Sequence, residues 1–150
     1  SEDGARMLCV EGESESVVVS RDGVSGKAIA ELCRSEPNVP DSRISHVALS
    51  PSGRFALTWC KRSSDPRGNL VIWDSGSGEK LGVFQQKEFS AENWPSVLWN
   101  KDETTAVRCS ANYINFYDGC EFGKSPTHRI ALNDVMYVAL APCSASTPVE

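Results

Sequence analysis

The fold turns on two stretches placed one over the other: Val47-Ala48-Leu49-Ser50-Pro51-Ser52-Gly53 and Val97-Leu98-Trp99-Asn100-Lys101-Asp102-Glu103, 50 residues apart. In each, an apolar–x–apolar strand runs into a polar turn and a second strand follows at once, over Arg54–Trp59 in the first copy and Thr104–Cys109 in the second. Working outward, Leu70-Val71-Ile72-Trp73-Asp74 falls over Ile114-Asn115-Phe116-Tyr117-Asp118 at a shift of 44, and both strands end in aromatic-Asp. The unit returns as Val138-Ala139-Leu140-Ala141-Pro142, 41 residues beyond Val97. Self-similarity at such a period marks units that cannot bury their own apolar faces and are stacked so that neighbours do it.

The rest of the chain predicts short strands and turns, with almost no helical periodicity. Strands are expected at Arg6–Val10, Val17–Ser20, Ile29–Leu32, Val47–Ser50, Arg54–Trp59, Leu70–Asp74, Lys80–Phe84, Val97–Asn100, Thr105–Cys109, Tyr113–Tyr117, Arg129–Leu132 and Tyr137–Ala141. Each is rich in β-branched or aromatic residues, and turns such as Arg21-Asp22-Gly23 and Asp74-Ser75-Gly76 separate them. Lys87–Asn93 is the one segment with a helical look, and its polarity assigns it to a loop. Periods of 41 to 50 residues with a terminal Trp-Asp are those of WD-type propeller blades, which are four-stranded antiparallel sheets. A blade covered on both faces needs strands that are apolar throughout, and Val17-Val18-Val19 and Leu70-Val71-Ile72 do not alternate.

The sequence therefore predicts an all-β, WD40-like β-propeller portion over residues 1–150. Blade segments are expected at about 5–33, 45–84 and 96–132, with the start of another at 135–142. Roughly three blades fall short of the four or so that close a propeller, so an arc of a larger one is expected, with sheet edges at both ends.

Composition narrows the function. The 150 residues are 40% hydrophobic and 23% charged, which supports a packed core and excludes the disordered class. The net charge of −5 argues against a broad grip on DNA or RNA but leaves room for a local basic patch. The opening Ser1-Glu2-Asp3-Gly4 is no secretory leader, and the longest apolar run, Val135 to Ala141, is too short to span a bilayer. Cys9, Cys33, Cys60, Cys109, Cys120 and Cys143 are scattered without a Cys-x-x-Cys pair. Reduced thiols in a cytoplasmic protein are the expectation, with no membrane association.

No catalytic, metal-binding or cofactor-binding residue is expected. Gly23-Val24-Ser25-Gly26-Lys27 imitates a phosphate loop, but Arg21 and Ala28 stand where the pattern needs Gly and Ser or Thr, and a strand follows instead of a helix. Gly76-Ser77-Gly78 lacks the flanking residues of a nucleophile elbow. His46 and His128 have no identifiable partner for acid–base work, and Asp102-Glu103 sits at a hairpin tip, where charge is normally solvated. Trp59, Trp73 and Trp99 are expected to pack between blades. Trp94, between a polar loop and Pro95, is a candidate surface anchor. Lys61, Arg62 and Arg67 make the densest basic segment, on a long loop of the kind that carries function on a rigid scaffold.

The succession of Val47-Ala48-Leu49-Ser50-Pro51, Ala56-Leu57-Thr58-Trp59, Gly68-Asn69-Leu70-Val71-Ile72-Trp73-Asp74, Phe84-Gln85-Gln86-Lys87, Asn93-Trp94-Pro95 and Asp102-Glu103-Thr104 with Arg108 behind it carries a resemblance. Asn112, Phe116-Tyr117, Asp134 and Ala139-Leu140-Ala141-Pro142 continue it, over about residues 5 to 145. It resembles the N-terminal propeller half of the eukaryotic translation initiation factor 2A family, single-chain factors linked to initiator-tRNA delivery on the small ribosomal subunit. The resemblance implies the small ribosomal subunit and initiator tRNA as partners, with other initiation factors beside them, and a recognition role without catalysis. Lys61, Arg62, Arg67 and Trp94 are then the candidate partner contacts. Subunit b of initiation factor 3 has a similar Trp-Pro and aromatic-rich blade but accounts less well for Asn69-Leu70, Gln86-Lys87 and Asp102-Glu103-Thr104. A WD adaptor of another complex and an enzymatic propeller are further alternatives. Two family features are missing: the Gly-His that opens a WD repeat, with Ser45-His46 in its place, and the buried Asp before the third strand, replaced by Pro66-Arg67-Gly68 in one blade and Ser110-Ala111 in the next.

Overall fold

The computed structural model describes residues 1–12, 16–87, 91–110, 112–135 and 138–141. Its regular elements are strands, apart from one turn of 3-10 helix at Ala91–Asn93. Three antiparallel meanders follow one another. The first holds β1 (Arg6–Glu11), β2 (Val17–Asp22) and β3 (Ala28–Arg34); the second holds β4 (Ile44–Leu49), β5 (Phe55–Cys60), β6 (Leu70–Asp74) and β7 (Lys80–Phe84). The third holds β8 (Val97–Trp99), β9 (Thr105–Ser110), β10 (Tyr113–Asp118) and β11 (His128–Ala131). Eleven of the twelve expected strands are present. The twelfth is not: residues 138–141 form no strand, and Tyr137 and Pro142 lie outside the described residues.

The middle blade explains why its strands are apolar at every position. Phe55, Leu57 and Trp59 of β5, with Leu70 and Ile72 of β6, join Val97, Trp99, Ala106, Tyr117 and Phe122 of the third blade in one core. The intervening Ala56, Val71 and Trp73 join Val18 and Leu32 of the first blade in a second core. Alternation along a strand sends successive side chains to opposite faces, and here both faces meet a neighbouring sheet. All six residues of β5 are buried as a result.

Three turns repeat one hydrogen-bond pattern and fix the register of the blades. Phe55 N–H donates to Ser50 Oγ and Thr105 N–H to Asn100 Oδ1, each at 2.9 Å. Arg6 N–H donates to Ser1 Oγ at the same distance. Gly4, Gly53 and Glu103 occupy the left-handed position in the three copies, with φ of 70°, 80° and 56°. Ser1-Glu2-Asp3-Gly4 is therefore the equivalent of Ser50-Pro51-Ser52-Gly53, and β1, β2 and β3 correspond to the second, third and fourth strands of the later blades. Adjacent turns touch: Glu2 N–H donates to Pro51 O at 2.9 Å, and the buried Glu103 carboxylate accepts from Ser52 N–H at 2.7 Å and Ser52 Oγ–H at 2.8 Å.

The turns after the third strands also recur. Asp22 accepts from the N–H groups of Val24 and Ser25, and Asp74 from those of Gly76 and Ser77. Gly23-Val24-Ser25-Gly26-Lys27 is such a turn, and its amides close on Asp22. The N–H of Ser77, then that of Gly76, holds the Asp74 carboxyl below the usual carboxylate range. A folded pKa below the unfolded one gives stability that is complete above the ordinary carboxylate range and is lost as pH falls through the folded value. Asp74→Asn is accordingly expected to lower stability modestly at neutral pH, to converge with the parent protein at acid pH and so to make acid unfolding shallower, as followed by circular dichroism across a pH series.

Candidate interaction face

Antiparallel meanders send their turns to two ends. The turns 1–5, 22–27, 50–54, 74–79, 100–104 and 118–127 gather at one end, and these segments carry nine carboxylates against four basic side chains. The other end holds the longer connections, among them 35–43, 61–69 and the described residues 85–87 and 91–96, and all four residues expected to contact a partner are on it.

The loop 61–69 is tied at its root. Asn69 is buried and donates from Nδ2 to Cys60 O at 2.7 Å, Gln86 O at 3.0 Å and Lys61 O at 3.3 Å, while its Oδ1 accepts from Gln86 N–H at 2.9 Å. The work of the missing Asp thus falls to Asn69, immediately before β6. Gly68 lets the chain enter this corner, with φ of 150° and the Phe84 carbonyl where a side chain would start.

Above that root the basic side chains differ. Arg67 donates from Nη2 and Nε to Asp65 at 2.7 and 3.0 Å. The paired guanidinium, with the Arg67 N–H, holds the Asp65 carboxyl well below the usual range. Lys80 Nζ lies 3.7 Å from the same carboxylate. Arg62 is exposed, 4.0 Å from Asp41, and exposed pairs of this kind contribute little. Lys61 is exposed and pairs with no carboxylate among the described residues. The loop therefore presents Lys61 and Arg62 outward and spends Arg67 largely on its own order.

Trp94 is placed differently from a free anchor. Its ring is partly buried against the core of the second and third blades, and its indole N–H donates to Val47 O at 3.2 Å. His46 lies against it at 5.3 Å between ring centroids and against Trp59 at 5.6 Å, edge-on, so His46 belongs to an aromatic stack. His128 packs on Phe116 at 5.5 Å. Trp73 donates its indole N–H to Thr58 Oγ1 at 2.8 Å. No group of three or more His, Cys, Asp or Glu among the described residues is placed to hold a metal ion. Cys9, Cys33, Cys60, Cys109 and Cys120 are free thiols, and burial pushes Cys33 up to about 11. Cys143 lies outside the described residues. No helix among those residues is long and apolar enough to cross a membrane.

A polar row in the third blade is invisible in the linear sequence, because strand register alone assembles it. Arg108 of β9, Asn115 of β10 and Arg129 of β11 are directly opposite one another across the sheet. The Arg108 guanidinium lies 4.8 Å over the Phe84 ring and donates from Nη2 to Gln85 O at 3.1 Å and Gln86 Oε1 at 3.3 Å. Arg129 lies 4.9 Å over Tyr113 and donates from Nε to Asn115 Oδ1 at 2.9 Å. Carrying the 50-residue alignment from the first strands to Thr58 and Arg108 exposes the substitution.

Sheet order, register and the repeated turns define a WD-type β-propeller segment of about three blades, a portion of a larger propeller. No protein-family model matches the chain. Its similarity is to eukaryotic translation initiation factor 2A: 29% identity over 152 residues with the protein of Dictyostelium discoideum, covering 100% of this chain and 23% of that protein. The Schizosaccharomyces pombe protein of the same name is 24% identical over 129 residues, or 83% of this chain and 21% of its own. The resemblance seen in the sequence is thus borne out, and the chain spans under a quarter of the length of these curated relatives. A crystal structure of a eukaryotic initiation factor superposes on 86% of this chain and 32% of its own with a TM-score of 0.60 at 24% identity, a likeness of fold.

Proposed function

We propose that this segment is a recognition scaffold of a cytoplasmic translation initiation factor, docking on the small ribosomal subunit through its loop end and contributing to initiator-tRNA recruitment. It performs no catalysis and holds no cofactor. The similarity to two proteins named translation initiation factor 2A, which extends over the whole chain in one case, carries this reading. Charge supports the orientation: the turn end, with nine carboxylates against four bases, repels a phosphate backbone, whereas Lys61 and Arg62 project from the other end.

The test is co-sedimentation of the protein at its natural length with purified small subunits, with and without initiator tRNA, across a salt series. Co-migration that survives moderate salt is expected, and Lys61→Glu with Arg62→Glu is expected to weaken it more than Arg67→Glu does. Absence from the ribosomal fraction at low salt would overturn the reading and leave an adaptor of another complex.

A further inference from the structure

The row Arg108–Asn115–Arg129 has counterparts at equivalent positions of the other blades, and they differ in kind. The register of the second blade places Thr58, Val71 and Val83 opposite one another, and that of the first places Cys9, Val19 and Glu31. The scaffold therefore does not need two arginines there. Neither one pairs with a carboxylate among the described residues, and the Nε–H of Arg108 is buried without a partner. Placing a guanidinium in partial burial without a counter-charge is costly, and burial pushes the Arg108 pKa down. Phe84 and Tyr113 lie under the two guanidinium planes. Stacking in this way orders a guanidinium: with Nε held by Asn115, Arg129 keeps its two Nη groups for a two-point grip on an oxyanion, while Arg108, whose Nη2 is held by Gln85 and Gln86, keeps Nη1.

Two strand spacings separate Arg108 from Arg129, about 10 Å between backbones. The row lies toward the loop end of the third blade, two residues before the end of β9 and two after the start of β10. It therefore shares an end with Lys61 and Arg62. We infer that Arg108 and Arg129 form a phosphate-binding subsite, bridged by Asn115, that takes the backbone of a single RNA strand. The choice of RNA over another polyanion rests on the ribosome-docking reading. The half-exposed Tyr113 beside Arg129 adds an aromatic surface of the kind that single-stranded nucleic acid uses and a carboxylate peptide does not.

The experiment measures binding of a short labelled oligouridine to the natural-length protein by fluorescence anisotropy across a salt series, with polyglutamate as a competing anion. Arg129→Gln, on an exposed strand, is made first and its folding checked by thermal melting; Arg108→Gln follows. Each is expected to weaken binding several-fold and to reduce the slope of log affinity against log salt by about one. Arg129→Lys is expected to keep that slope while losing affinity. Unchanged affinity and slope in a folded Arg129→Gln protein would overturn the subsite. Arginine-dependent binding of polyglutamate in place of oligouridine would overturn RNA as its occupant. Arginine-dependent RNA binding in a protein that fails to co-sediment with small subunits supports the subsite and overturns ribosome docking alone.

Discussion

Gly68→Ala is expected to lower stability by at least about 3 kcal/mol, the range of substitutions that force backbone to move. An added Cβ would stand 2.1 Å from Phe84 O, 2.2 Å from Phe84 C and 2.5 Å from Gln85 N. All three are backbone atoms, so no rotamer relieves the overlap. The φ of 150° is also one that L-residues avoid. Relief requires moving the end of β7 or the corner itself, and the Asn69 hydrogen bonds to Cys60, Lys61 and Gln86 depend on both. Gly26→Ala is the control: its φ is 70° but nothing lies within 4 Å of the new Cβ, so about 1 kcal/mol of conformational cost is expected. Urea unfolding of the two variants separates the cases, and equal midpoints would contradict the corner described here.

Trp99→Ala is expected to cost about 3–5 kcal/mol, the usual range for deleting a buried large aromatic. The Trp99 ring stacks on Phe55 at 5.9 Å with planes 8° apart and meets Phe122 edge-on at 6.3 Å, so it bridges the second and third blades. Its indole N–H has no partner, which makes Trp99→Phe the informative companion. Phe keeps most of the contact and removes a buried unpaired donor, so it is expected to cost under about 1.5 kcal/mol. Denaturant unfolding with an unchanged m-value would assign the difference to packing between blades. If both variants were equally damaging, the indole N–H rather than the ring face would matter at this contact.

The fold was legible because stacked repeats write the same pattern more than once. The 50-residue alignment of Ser50 with Asn100 holds bond for bond in the turns, with a hydroxyl oxygen accepting in one and an amide oxygen in the other. Boundaries moved where register breaks. An irregularity between Ile44 and His46 starts β4 at Ile44, three residues before the apolar alternation becomes visible at Val47. Asn100 leaves its strand because its side chain caps the turn. Ser1-Glu2-Asp3-Gly4 passed for a polar opening, since a turn is recognised by the strands on both sides and only β1 follows it in the chain. The strand expected at Tyr137–Ala141 rested on a single apolar stretch with no partner strand in the sequence to confirm it.

The interaction face was legible only in part. Lys61, Arg62 and Arg67 stand out as a basic cluster, but their division into outward and self-paired groups depends on Asp65 and Asp41, whose carboxylates the fold brings to them. Trp94 looked exposed beside Pro95, whereas its indole finds Val47, 47 residues away in sequence. Asn69 stands among the residues of the family resemblance, but its four hydrogen bonds reach two separate segments, Cys60-Lys61 and Gln86. Arg108, Asn115 and Arg129 are spread over 22 residues and become neighbours only through strand register.

Hydrogen exchange of the natural-length protein, measured with and without saturating small ribosomal subunits, tests the docking orientation most directly. Slowed exchange in 61–69 and 85–87, with the turns 22–27, 74–79 and 118–127 unchanged, is expected of docking through the loop end. Protection of those acidic turns while the loop 61–69 exchanges as in the free protein would contradict it.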